Sequence, residues 1–475
     1  MLLIRHVACF QLDSGWYGIS LHDTSSPCSY HVLDGVLHIS WYDREGIITT
    51  NGFSLSKYLE YYLALLYIFQ RFDRSGWGRW DDNLRNKRNT KESTVSFADG
   101  KDFTFDPTNG KNVLHKPFSI GGRATTVYAC QGIGEREPGH VIKFNWKEES
   151  RLSEWKILEE IGTRVRQRVE QEKEASYIAR ISTAFQNRVQ NVLDEDDSLL
   201  SYLPEEVAGM ETDNSTKTIR DYLRLESQPR RLVIIVFVKL DGMISGLNGK
   251  EYWQVFWDCF RCKSAALCFL CSRLMWIQGH KRLWKLGIHH RDISNDNMMF
   301  FRKDSHVFGI LIDFDLATLE GELSQNQRRT GTRPFMARKQ LVGGPPVRHL
   351  YKYDAEAFFW VAVYDSASPP SVHEWGNLDN SALAREKSTY LFDGFEAIPM
   401  ADKWENHRPM RQWLDQTRDH FFLDSRSSKD WGVDELYNVL RGFREDKRKA
   451  LPGAHQNSPG QTFLLVLSDW FIIRK

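Results

Sequence analysis

The chain has 475 residues, enough for two or three domains or for one two-lobed enzyme with extensions. Its 63 Lys and Arg against 62 Asp and Glu leave a charge of +1, which argues against a wholesale polyanion binder and so against nucleic acid as partner. The apolar start at 1–10 is broken by Arg5 and His6, and the apolar runs 232–238 and 265–271 are far short of a membrane span. No membrane partner is expected, and seven cysteines in an intracellular chain are expected to be reduced thiols.

In chain order, residues 32–42 alternate around Gly35 and predict a hairpin, and 55–72 predict an apolar-rich helix. Residues 85–112 turn polar and charged, with Gly100, Pro107 and Gly110, and predict a linker or irregular segment. Residues 118–128 place Gly121 and Gly122 in a turn where bare amides can approach phosphates. Against G-x-G-x-x-G-x-V only Gly122 falls on a motif glycine, with Ile120 and Thr125 at the other two, so an ordinary hairpin turn fits as well.

The next strand, His140-Val141-Ile142-Lys143-Phe144, fits V-A-I-K loosely, although a strand lysine can also point to solvent. In the helix that follows, residues 157, 158, 161 and 165 share an apolar face, and Glu154 falls in the middle of it. A carboxylate inside an apolar stripe needs a partner, and Lys143 is the obvious one. Residues 162–192 predict solvated helix, 194–197 and 211–215 exposed connections, and 231–237 a fully buried strand leading to a possible adenine hinge at 239–242.

Residues 252–277 contain no Gly or Pro and predict one long helix carrying Cys259, Cys262, Cys268 and Cys271. On a helix the two Cys pairs face different ways and cannot form one zinc tetrahedron, so buried apolar cysteines are expected and no metal beyond magnesium.

The strongest signal is His290-Arg291-Asp292-Ile293-Ser294-Asn295-Asp296-Asn297, which fits the protein kinase catalytic loop H-R-D-x-x-x-x-N without a gap. In that motif the Asp accepts the proton of the acceptor hydroxyl and the Asn holds magnesium. Residues 298–301 and 307–312 predict a hairpin that brings Asn297 and Asp313 to one open end. Asp313-Phe314-Asp315 is D-F-G with its Gly changed to Asp. Further on, Gly331-Thr332-Arg333-Pro334-Phe335-Met336-Ala337 matches the end of an activation loop, but Arg338-Lys339 replaces the Pro-Glu of A-P-E. The helix opened by Tyr353-Asp354 has an Asp placed to cap it or to brace the catalytic loop.

Together these residues resemble the fungal-type protein kinase family. The likeness rests on Gly122-Arg123-x-Thr125, on 290–294, on Gly331 to Ala337, on Tyr353-Asp354 and on the Trp-Tyr-Asp-Arg-Glu-Gly stretch at 41–46. It implies an α+β, two-lobed protein kinase-like fold: an N-terminal α/β extension at 1–112, a small β-rich lobe at 113–240, a large helical lobe at 241–452 and a tail at 453–475. It implies an ATP- and magnesium-dependent (Mg2+) enzyme acting on a protein hydroxyl, with Ser or Thr favoured over Tyr.

By the resemblance Asp292 is the base, Arg291 completes the catalytic loop, Asn297 and Asp313 hold magnesium, and Lys143, supported by Glu154, holds the phosphates beside Gly121 and Gly122. Ser294 stands where serine/threonine kinases usually carry a Lys. The thin glycine turn leaves open a pseudokinase that binds partners and transfers nothing; a small-alcohol kinase is opposed by the Gly331 to Ala337 segment.

Overall fold

The alternation around Gly35 folds as expected. β1 (Cys28–Leu33) pairs with β2 (Val36–Asp43), and β2 pairs with β3 (Gly46–Thr49) and β4 (Phe53–Ser54), all antiparallel. The expected helix is α1 (Leu59–Gln70). This is a computed structural model, and it describes residues 28–33, 35–71, 84–86, 92–116, 121–132, 134, 139–178, 203–261, 279–303, 306–320, 329–342, 348–368, 372–394, 398–401, 404, 407–426 and 432–442. Two compact units emerge, 1–247 with 254–326, and 248–253 with 327–475.

The segment expected to be a linker is sheet instead. β5 (Leu84–Asn86), β6 (Ser93–Ser96) and β7 (Asp102–Phe105) join β8 (Val113–His115), β9 (Thr126–Gly132) and β10 (His140–Glu148). After α2 (Glu154–Ile178) come β11 (Glu206–Ser215), α3 (Lys217–Tyr222) and β12 (Arg230–Val238). The eight strands form one antiparallel sheet in the order β11-β12-β10-β9-β7-β6-β5, with β8 against β9. Val95 and Phe97, and again Phe103 and Phe105, stand two residues apart and are all buried, which outweighs the polar residues between them. The connection expected at 211–215 is likewise the end of β11, where the buried Thr212 hydroxyl donates to the Leu232 carbonyl at 3.2 Å.

β12 is buried on both faces, as its unbroken apolar run predicts. Val233, Ile235 and Phe237 pack against Ile157, Leu158, Ile161 and Val165, the predicted face of α2, together with Phe314 and Leu319. Leu232, Ile234 and Val236 pack the other way, against Val95, Phe97, Phe103, Phe105, Tyr128 and Ile142. Each such side chain contributes about 1.5–3 kcal/mol when fully buried, so α2 is held by a stripe of four rather than by its charged outer face.

β13 (Gly242–Met243) pairs with β15 (Met298–Lys303), which forms a hairpin with β16 (His306–Leu311). Between them in sequence lie α4 (Gly249–Arg261), α5 (Gly279–Lys285) and β14 (Ile288–His289), the last paired with β17 (Thr318–Leu319). Gly309 lets β16 approach α4: a Cβ there would lie 2.5 Å from the Val255 carbonyl oxygen, and its N–H donates to Asp258 Oδ2 at 3.1 Å. Cys259 is buried on α4 and burial pushes its thiol well up; Cys262, Cys268 and Cys271, and the rest of the expected long helix, lie outside the described residues. Among the described residues no helix is long and apolar enough to cross a membrane.

The second unit is helical: α6 (Arg338–Leu341), α7 (Tyr351–Ser366), α8 (Asn380–Asp393), α9 (Arg408–Arg426) and α10 (Val433–Gly442). Asp354 does not cap α7, whose N-cap is Leu350; its Oδ1 meets His349 Nε2 at 2.8 Å. The segment that lacks the A-P-E glutamate is held by other contacts. Glu356 Oε1 accepts from the Arg338 backbone at 2.8 Å and from Trp360 Nε1 at 3.0 Å. Lys387, fully buried, donates to the Met336 carbonyl at 2.6 Å and lies 4.8 Å from the Trp360 ring centroid.

Candidate active site

The catalytic-loop motif is fixed in place by its own backbone and by the hairpin that follows. His290 Nε2 lies 3.1 Å from the Ile312 carbonyl, which can only accept, so Nε2 carries the proton. Nδ1 is then free to accept from the Asp292 N–H at 3.3 Å. The ring meets Phe314 edge-on, 4.7 Å between centroids. Arg291 takes a left-handed φ of 68°, and both it and Asp292 are buried. Asn297 Nδ2 donates to the Asp292 carbonyl at 2.8 Å, which closes the loop on itself.

Asn297 precedes β15 and Asp313 follows β16. Register pairs Met298 with Leu311, and the Ile312 N–H donates to the Asn297 carbonyl at 2.9 Å, so both residues stand at the same end of the hairpin. The stretch 239–242 is stitched to this hairpin as well: Asp241 N–H donates to the Phe300 carbonyl at 2.9 Å, and Arg302 N–H donates to Asp241 Oδ2 at 2.6 Å.

Lys143, on β10, points into the site rather than to solvent. Its Nζ lies 2.7 Å from Glu154 Oε2, 2.7 Å from Asp313 Oδ1 and 2.8 Å from Asp315 Oδ2. Glu154 is the partner that the phase of α2 predicts, and its other oxygen accepts from the Phe314 N–H at 2.8 Å. That bond, with Phe314 buried against α2, holds Asp313 in a left-handed conformation (φ 63°).

Burial alone would push the Lys143 ammonium down, but the charges of Asp313, Asp315 and Glu154 outweigh it and hold it well above its ordinary range. The two aspartates share the opposite fates. Burial pushes both up; Lys143 and Arg123 hold Asp313 well below the usual carboxylate range, whereas Asp315, facing the charges of Asp313 and Glu154, is pushed up to about 8. Asp313 is therefore the ionised member, and with 23% of its side chain exposed it is also the most accessible of the three acids.

The donor set suits magnesium. Asn297 donates an amide hydrogen to the Asp292 carbonyl and has a side-chain oxygen to offer, and Asp313 offers a carboxylate; hard oxygen donors of this kind hold magnesium alongside substrate phosphates. One oxygen each of Glu154, Asp313 and Asp315 also lie within 4.8 Å of one another. Lys143 already supplies the cation there, so that triad is an ammonium site first.

The turn holding Gly121 and Gly122 is open, from sequence, to two readings, a phosphate-binding turn or an ordinary hairpin turn. It does join two paired strands, β8 and β9, but the Gly122 N–H is not open to a ligand: it donates to the Arg44 carbonyl in the N-terminal segment at 2.8 Å, and Gly121 lies beside the same carbonyl. The turn at 43–46 is anchored in turn. Arg220 on α3 donates to both oxygens of Asp43 at 2.7 and 2.9 Å, and Glu45 accepts from the Gln228 N–H at 2.7 Å and from the Thr216 hydroxyl.

Two further residues stand at the site, and the motifs that contain them give neither a role. Arg123 reaches within 3.8 Å of Asp315, and the charges of Asp313, Asp315, Asp292 and Glu154 together hold its guanidinium up against burial. Asp315 itself occupies the position where D-F-G has no side chain. The only sequence signals were that an Arg follows the one motif glycine and that the motif's last residue is altered.

The profile of the family described as fungal protein kinase matches residues 28–237 and 258–365, most of the chain. No curated protein matches it. By that profile match the chain belongs to the fungal protein kinase family.

Proposed function

We infer that the chain is an ATP- and magnesium-dependent protein kinase that transfers the γ-phosphate to a serine or threonine hydroxyl of a protein. The observation that carries this reading is the buried Lys143–Glu154 pair meeting Asp313 at the hairpin that bears the His290 to Asn297 loop. Asp292 orients the acceptor hydroxyl and takes its proton. The hydroxyl oxygen then bonds to phosphorus, and the bond from phosphorus to the bridging oxygen breaks with its electron pair leaving on ADP. Lys143 holds the phosphates, and Asn297 and Asp313 hold the magnesium, which when bound offsets phosphate charge.

The competing scaffold reading is favoured by one feature, the commitment of the Gly122 amide to Arg44. Nucleotide binding separates the two. ATP should raise the melting temperature and magnesium should add to the rise; a ligand at a hundredfold excess over Kd stabilises by about 2.7 kcal/mol. Asp313→Ala should lose the magnesium-dependent part. A melting curve indifferent to ATP, with and without magnesium, refutes the kinase reading.

A further inference from the structure

A glycine-rich turn binds phosphates through bare amides, and this turn has little of that to offer. Ile120 and Thr125 stand at two of the three motif positions, and the third, Gly122, gives its N–H to the Arg44 carbonyl at 2.8 Å. One residue later the Arg123 carbonyl accepts from the Trp146 N–H, also at 2.8 Å. The backbone is thus pinned on both sides of Arg123. Ala124 follows with a left-handed φ of 43°, a strain of order 1–3 kcal/mol that persists only where surroundings impose it.

What the turn presents to the site is a side chain. The Arg123 side chain is 36% exposed, but its Nη1 is shielded from solvent and, among the described residues, has no hydrogen-bond partner, although Asp315 Oδ2 is 3.8 Å away. A buried donor left unpaired is costly, and the guanidinium fork fits phosphate oxygens. The neighbourhood is also acidic: Lys143 and Arg123 are two cations among the side chains of Glu154, Asp313, Asp315 and Asp292. At 294, where a lysine would lie beside a transferring phosphate, there is a buried serine.

We propose that Arg123 is a catalytic residue that binds the terminal phosphate of ATP, taking the role that glycine-turn amides and a lysine at 294 would otherwise divide. This rests on the kinase reading of the site. Arg123 moves no proton; it takes up charge on the transferring phosphoryl oxygens while the bond to the bridging oxygen breaks.

The test compares ATP and ADP, which differ by that phosphate. Affinities of the full chain for each, with magnesium, are measured by calorimetry for wild type, Arg123→Met, Arg123→Gln and Arg123→Lys. Loss of a charged hydrogen bond to the γ-phosphate should weaken ATP roughly 10–100-fold in Arg123→Met and leave ADP within about twofold, with Arg123→Lys recovering part of the loss. Should Arg123→Met fail to fold, Arg123→Gln, which keeps the stem and a planar amide, decides by the same criterion. ADP weakened as much as ATP means that Arg123 only balances the local acids, and ATP unchanged means that it touches no γ-phosphate; either overturns the proposal. Wild type that binds neither nucleotide overturns instead the kinase reading on which it rests.

Discussion

On the kinase reading Lys143→Met removes the group that holds the phosphates, and the change should also unlock the fold around it. Its Nζ is within 2.8 Å of three carboxylates, and Glu154 and Asp315 are buried to 2% and 4% side-chain exposure. With the ammonium gone, Asp313 still faces the charge of Arg123, whereas the buried Glu154 loses its 2.7 Å ion pair and keeps the Phe314 N–H. Breaking a buried pair by removing one partner costs about 3–5 kcal/mol. Glu154→Gln added to Lys143→Met should restore about 1–3 kcal/mol, since the two residues are in contact and their effects do not add. Native-state hydrogen exchange of β10 amides reports the opening of this unit by itself. A Lys143→Met variant within about 1 kcal/mol of wild type, or a double variant no better than the single, would refute the reasoning.

Other consequences follow from particular contacts. Glu206 is pushed up from 4.5 to about 7 by burial, with Glu159 and Glu154 adding to it, so its protonation stabilises the fold fully below pH 4.5 and that stability is lost as pH rises through about 7. Glu206→Gln should flatten urea-midpoint curves across that window; an unchanged slope would count against it. Asp43→Ala removes two charged hydrogen bonds from Arg220 and should cost about 1.5–3 kcal/mol, read as faster exchange at the Gly122 amide; unaltered exchange there would show that the 43–46 turn does not hold the phosphate turn. Lys387→Met leaves the Met336 carbonyl unpaired in a buried setting and should destabilise by about 1–3 kcal/mol, visible as a lower urea midpoint; a midpoint at or above that of wild type would show the amine to be dispensable.

Local pattern carried much of the fold. The face 157, 158, 161 and 165 named both the helix and Glu154, and the hairpin from Met298 to Leu311 followed from two short apolar runs. The strands at 84–105 were hidden because four buried side chains, Val95, Phe97, Phe103 and Phe105, sit among charged and turn residues that dominate composition. β11 was hidden likewise, because its acidic end lies at a sheet edge. Contacts across long sequence separations left no local trace: the Arg44 carbonyl on Gly122, and Lys387 supporting the segment that lacks its glutamate. Arg123 was legible as part of the Gly122-Arg123-x-Thr125 match, but nothing in that pattern says that its side chain turns toward Asp315.

The most direct test of the kinase reading is transfer of γ-phosphate from ATP to a generic protein substrate by wild type and Asp292→Asn, with nucleotide affinity measured on the same samples. Loss of the positioned base should lower the rate about 10²–10⁴-fold while ATP still binds. An Asp292→Asn variant as active as wild type would contradict the account.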